Sequence, residues 1–183
     1  SVISMHLNLD SADGGIDESL MRGIMLASAR ANGKQASENY FAGVKSDDYM
    51  LTVESDGVSG AYGRVYGIEK TPLTELSEFL KTVFQTGQVC VYGDGAAEIS
   101  RVASFCGAGA DEGALAFAKR NGADAIVSSD FKHHIILAAR EQGMSVIALT
   151  HYASENYGFE KYYQKIRRRL EIPCEFYTDE ELL

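Results

Sequence analysis

From Gln88 onward the chain alternates short apolar runs with amphipathic stretches of helical period. This βαβαβα order restricts it to a sheet covered by helices. Strands are expected at 88–92, 99–106, 124–128 and 145–149, with helices at 111–121, 132–142 and 157–170. Pro173 ends the last helix and introduces a final strand, Cys174 to Tyr177. Upstream, Val2 to Asp10 alternates like a strand, Gly14-Gly15 marks a turn, and a helix is expected from about Asp17 to Ala31. Tyr49 to Glu54 and Ala61 to Glu69 read as a hairpin across Ser55-Asp56-Gly57. Pro72 can start a helix to about Gln85, with Leu73, Leu76, Phe79, Leu80 and Val83 as its core-facing stripe. The expected fold class is α/β: a mixed, largely parallel sheet covered by helices, with a βαβαβα C-terminal half. One domain is expected over 1–183, with 1–86 continuing an N-terminal part absent from this sequence and 87–183 forming the βαβαβα half.

The 183 residues are 45% hydrophobic, ample for a sizeable core. With 17 basic and 26 acidic residues the net charge is −9, which repels phosphate backbones and anionic membranes, so nucleic-acid and membrane partners are disfavoured. The one basic run, Lys165-Ile166-Arg167-Arg168-Arg169, closes a helical pattern where positive charge suits the dipole, and reads as a solvated face. No apolar run approaches the ~20 residues that span a bilayer, so a soluble protein is expected. Cys90, Cys106 and Cys174 are odd in number and widely spaced, which fits reduced structural thiols in a cytoplasmic protein. Cys90 and Cys106 fall in apolar strands and are expected to be inaccessible.

Candidate chemistry collects where strands end. Thr150-His151-Tyr152-Ala153-Ser154-Glu155 leads from a strand into a helix, and in a parallel sheet such ends line the crevice that receives ligands. His151 and Glu155 are four apart, one helical turn, so they can face one point and offer an imidazole and a carboxylate to Mn²⁺, Fe²⁺ or Zn²⁺. The same spacing more often means a helix cap beside a hydrogen-bonded His. Asp130 and His134 repeat the pattern one βα unit earlier, with an N-cap as the plain alternative for Asp130. Asp10 closes the first strand-like run, as a turn-forming residue or a ligand, and His6 shares its face as a wall residue or a ligand. In Cys106-Gly107-Ala108-Gly109-Ala110-Asp111 the third glycine of the dinucleotide fingerprint is replaced by Glu112. A tight turn close to a ligand, with Asp111 as N-cap, therefore reads ahead of a nucleotide site.

Leu7-Asn8-Leu9-Asp10 with Gly14-Gly15, Gly60 to Gly67, Cys106-Gly107-Ala108-Gly109, Ser129-Asp130-Phe131-Lys132-His133-His134, and Thr150 to Glu155 come in one order. In that order the chain resembles the dinuclear-metal-centre proteins called GTP cyclohydrolase I type 2 homologues, from Ser1 to about Leu170. The resemblance implies a metal-dependent hydrolase-like α/β protein with up to two Zn, Fe or Mn ions in the complete molecule. It also implies a ring-shaped homo-oligomer and a small-molecule substrate, with a nucleotide suggested by the family name. Carried over by position, Asp10, His151 and Glu155 are the expected metal ligands. Asp130 and His134 are the expected catalytic pair, and His6 matches a nearby His. The paired His ligands followed by Pro that the family has upstream do not occur in this sequence. The expectation for this chain alone is therefore one weakly held ion at most. A non-catalytic metal-binding scaffold acting through protein partners is the competing expectation.

Overall fold

The computed structural model describes residues 2–55 and 57–183; Asp56, in the expected hairpin turn, lies outside them. Among the described residues six strands form one sheet in the order β1-β2-β4-β5-β6-β3. They are β1 (Asp48–Ser55), β2 (Val58–Pro72), β3 (Val89–Tyr92), β4 (Glu98–Ser104), β5 (Ala125–Ser128) and β6 (Ser145–Leu149). The helices are α1 (Leu7–Asp10), α2 (Ile16–Ala31), α3 (Leu73–Phe84), α4 (Glu112–Arg120), α5 (His133–Glu141) and α6 (His151–Ile166). β4, β5 and β6 are parallel, joined through α4 and α5, while the β1–β2, β2–β4 and β3–β6 pairings are antiparallel. The sheet is thus mixed, with its parallel part in the β4–β5–β6 crossovers.

Strand alternation sorts the core into two layers. Val102, Val127 and Ile147 join a cluster with α2, α3 and α6, whereas their chain neighbours Ala103, Ile126 and Val146 join α4 and α5 on the other face. Helix stripes meet these faces: Leu20, Ile24, Leu76 and Leu80 are fully buried, each stabilising the fold by roughly 1.5–3 kcal/mol. Phe79 lies at the border of the expected stripe and is only partly buried. Side-chain caps fix two of the helix starts. Asp111 accepts from the Ala114 amide at 2.8 Å, and Thr150 accepts from the Ala153 amide at 3.0 Å. Among the described residues no helix is long and apolar enough to cross a membrane.

Four local expectations are corrected. Val2 to Asp10 is not a strand: 2–6 has no regular structure, and Leu7–Asp10 closes a helical turn in which the Leu9 and Asp10 amides donate to the His6 carbonyl. The Asn8 carboxamide accepts from the His6 amide at 2.8 Å, so local bonds replace a sheet ladder. Cys174 to Tyr177 is likewise not a strand. Helix α6 begins at His151 rather than Tyr157, because its first turn buries only small residues, Ala153 and Ser154, which carry no apolar period. Finally, β3 is an edge strand antiparallel to β6, and there Cys90 is exposed. Cys106 is buried as expected, and burial pushes its thiol well above the usual range. A thiol reagent on the native protein should therefore label Cys90 quickly and leave Cys106 unmodified, as read by peptide mass spectrometry; rapid labelling of Cys106 would contradict the packing.

Candidate functional site

Asp10, Asp130, His151 and Glu155 come together at one end of the sheet. His151 Nδ1 lies 2.5 Å from Asp130 Oδ2, and its Nε2 lies 3.0 Å from Glu155 Oε1. The i to i+4 spacing on α6 produces the second contact, and the adjacency of the β5 and β6 ends produces the first. Asp130 adopts a left-handed backbone at φ 50°, a conformation that Asp tolerates better than most residues. His6, Asp10, Tyr62, Gly107, His151 and Glu155 line a cleft of about 460 Å³. His6 and Asp10 reach it from one side of α1, since four residues span a helical turn as well as two strand repeats. His134 is elsewhere: its Nε2 pairs with Glu112 Oε1 at 2.9 Å, on the exposed surface.

The turn after β4 forms the floor of this cleft. The Gly107 carbonyl accepts from the Ser128 and Ser129 hydroxyls at 2.9 and 2.6 Å and from the Ser129 amide at 3.0 Å. Its amide donates to Ser154 Oγ at 3.3 Å, and the Cys106 carbonyl accepts from the Tyr62 hydroxyl at 2.7 Å. At φ 58°, Gly107 suits a residue without a side chain, and a Cβ there would meet Glu155 Oε1 at 2.5 Å and His151 Nε2 at 3.2 Å. The turn therefore brings backbone against the cleft side chains, as its sequence suggests. Its Cys106 and Gly107 amides already have protein acceptors, so they do not form a phosphate cradle.

A buried ion pair that was not legible as functional pins this turn. Asp17 Oδ2 accepts from Arg64 Nε and from the Gly63 amide, both at 3.0 Å, and its Oδ1 accepts from the Cys106 amide at 3.1 Å. The two side chains are 0% and 4% exposed. In the sequence Asp17 looks like an ordinary first-turn acid complementing the helix dipole, and only the fold reveals that it joins α2, β2 and the cleft floor.

The donor chemistry suits a divalent cation in one respect. The carboxylate of Asp130 holds Nδ1 and leaves Nε2 facing the cleft, the arrangement by which outer carboxylates orient metal-binding imidazoles. Among the described residues, however, no three His, Cys, Asp or Glu side chains stand ready around one point. At His151, Glu155 occupies Nε2 and must turn away from it before both can share an ion.

Asp17, Asp10 and His151 are among the groups here held above their ordinary pKa. Burial pushes Asp17 up to about 7 against the opposing charge of Arg64. Burial, followed by the charge of Glu155, raises Asp10. For His151 burial pulls the other way, but the hydrogen bond to Asp130 and the charges of Glu155 and Asp130 prevail and raise it. Each group binds its proton more tightly in the folded chain, so its contribution to stability is present at low pH and lost as pH rises through the folded value. For Asp17 that window runs from the ordinary 3.8 to about 7. Thermal unfolding with a chelator present should show lower stability at pH 8 than at pH 6, Asp17 contributing on the order of 1 kcal/mol. A flat or rising profile would contradict the assignment.

Residues 1–181 match the model of the family described as Duf34/NIF3 (NGG1p interacting factor 3). The chain is 24% identical over 182 residues to a GTP cyclohydrolase 1 type 2 homolog of Clostridium perfringens, covering 99% of this chain and 62% of that protein. It is 31% identical over 114 residues to the protein of the same name from Pasteurella multocida, covering 61% of this chain and 45% of that one. The matches thus span 45% and 62% of these relatives' own lengths. The crystal structure of a Bacillus cereus protein related to NIF3 superposes with a TM-score of 0.64 at 14% identity, over 95% of this chain and 71% of that one. That likeness speaks for the fold alone.

Proposed function

The chain belongs to the Duf34/NIF3 (NGG1p interacting factor 3) family, and from that premise we propose that it carries part of a metal-dependent hydrolase centred on Asp10, His151 and Glu155. The observation that carries this reading is the orientation of His151, with Nδ1 held by Asp130 and Nε2 directed into the cleft beside Glu155. Asp10, His151 and Glu155 would hold the ion. A bound Zn, Fe or Mn ion supplies positive charge that polarises substrate and acidifies water.

The chain's own residues do the rest. Asp130 holds Nδ1, so that once Glu155 turns away from Nε2 that nitrogen can offer its lone pair to the cleft. Glu155, once released from Nε2, is a carboxylate able to take a proton at the same point. The Gly107 turn forms the floor, with backbone close against Glu155 and His151. His134, occupied by Glu112, has no part in this reading.

The relatives' name directs attention to GTP and to attack on its imidazole ring, and for this chain the proposal takes over only the attack on a heterocyclic ring. Assembly into a homo-oligomer also belongs to it. The support is the edge strand β1, which leaves Leu51 and Val53 55% and 47% exposed. The test is a survey of nucleotide hydrolysis under Mn²⁺, Fe²⁺ or Zn²⁺. Turnover is expected with at least one ion, and its loss in Asp10→Ala. Metal retention without turnover would favour a scaffold acting through protein partners.

A further inference from the structure

A second cavity, of about 390 Å³, adjoins the cleft and shares His6, Asp10 and Glu155 with it. Its walls come from three places, the first being the N-terminal segment and the start of α2, with Met5, Leu9 and Ile16. Tyr152, Asn156 and Phe159 project from α6, and Tyr177, Asp179 and Leu182 come from the extended C-terminal stretch. That stretch is tied down: the Asp179 amide donates to the Tyr152 hydroxyl at 2.7 Å, and the Thr150 hydroxyl donates to the Leu182 carbonyl at 3.2 Å. Phe159 is braced from behind by Phe176 and Tyr162, with ring centroids 5.9 and 6.3 Å away. The recess is therefore a built one, with aromatic faces and the Asn156 amide.

The charge around it is one-sided. Neither cavity has a Lys or Arg in its lining, whereas both present the Asp10 and Glu155 carboxylates and the recess adds Asp179. Four basic side chains, Arg22, Lys45, Arg64 and Lys165, instead line a different cavity of about 550 Å³. A polyphosphate entering the recess would meet three carboxylates, with the His6 imidazole beside them and neither Lys nor Arg to offset them. An uncharged or cationic aromatic ring gains stacking and, if cationic, attraction to both the ring faces and the carboxylates. The volume lies near the lower end of the about 300–1,000 Å³ typical of small-ligand sites, the size of a one- or two-ring ligand.

We propose that this recess is the substrate's ring-binding subsite, and that it selects an uncharged or cationic planar heterocycle over a phosphorylated one. The proposal rests on the hydrolase reading for the position of the reacting centre, but binding in the recess needs no metal. The experiment is equilibrium dialysis of the full chain in chelator with guanosine, nicotinamide, N-methylnicotinamide and GTP. At least one of the three phosphate-free rings should bind, and GTP should bind at least tenfold more weakly than that ring. Phe159→Ala, at a position 39% exposed and so tolerant of truncation, should weaken the ring about tenfold. GTP binding as tightly as the best ring, no ring binding, or an unchanged affinity in Phe159→Ala would each overturn the proposal. Metal retention is measured separately on the same protein. Loss of ring binding with metal retained overturns the subsite alone, and ring binding without metal retention overturns the hydrolase reading alone.

Discussion

Asp17→Ala is expected to lower the unfolding free energy by about 3–5 kcal/mol at pH 8, the range for removing one partner of a buried ion pair. The loss has several sources. Arg64, 4% exposed, is left without its carboxylate, and the Gly63 and Cys106 amides lose their acceptor in a region closed to water. Arg64 still donates to the Ala61 carbonyl at 3.0 Å, which holds the guanidinium in place but does not neutralise it. Asp17→Asn keeps an acceptor oxygen and should cost less. It should also remove the Asp17 part of the pH dependence, because Asn cannot titrate. Denaturant unfolding of both variants at pH 6 and pH 8 checks this. An alanine variant as stable as the parent at pH 8 would show that the pair does not pin the cleft floor to α2 and β2.

The second large effect concerns a residue that would not touch the ion. Asp130→Asn is expected to weaken divalent-metal affinity 10–100-fold, the usual consequence of disturbing an outer partner of a ligating imidazole. Asn is the informative replacement because it also tolerates the left-handed conformation found at φ 50°, so the backbone need not move. The change removes the negative charge that makes the imidazole more basic and that helps hold the proton at Nδ1. Competition titration with a chromophoric chelator measures it. Unchanged affinity would mean that the Asp130–His151 contact does not serve metal binding.

Much of this architecture can be read from residue order, for identifiable reasons. The runs at 125–128 and 145–149 and the second half of β4 are buried on both faces, and short apolar stretches flanked by turns are what such strands require. The hairpin and Pro72 announced β1, β2 and α3 by local chemistry alone. Strand partners were less visible. Nothing in Val89 to Tyr92 indicates that it pairs antiparallel at the edge beyond β6, so the exposure of Cys90 could not be foreseen. Val2 to Asp10 has a strand-like period because His6 and Asp10 share a side in a helical turn as they do in a strand. At the cleft, the spacing from His151 to Glu155 and the repeat at Asp130 were legible because one helical turn and neighbouring strand ends impose them. His134 followed the same rule of spacing, yet its helix turns it toward Glu112. Asp17, Tyr62 and Ser154 escaped notice because their importance lies in what they hold across the fold, 44 to 89 residues away in sequence.

Asp10, His151 and Glu155 are proposed to form a cation site in this chain. Metal content per chain tests it most directly, by elemental analysis after saturation with Zn²⁺ or Mn²⁺ and extensive dialysis, for the parent and for His151→Ala. Three protein donors with two carboxylates suit one hard ion completed by water, while a second ion would add repulsion with too few donors to offset it. The parent is expected to hold metal above background and no more than about one ion per chain, and His151→Ala only background; a parent at background would contradict the site. Two tightly held ions in the parent, or full retention in His151→Ala, would contradict it.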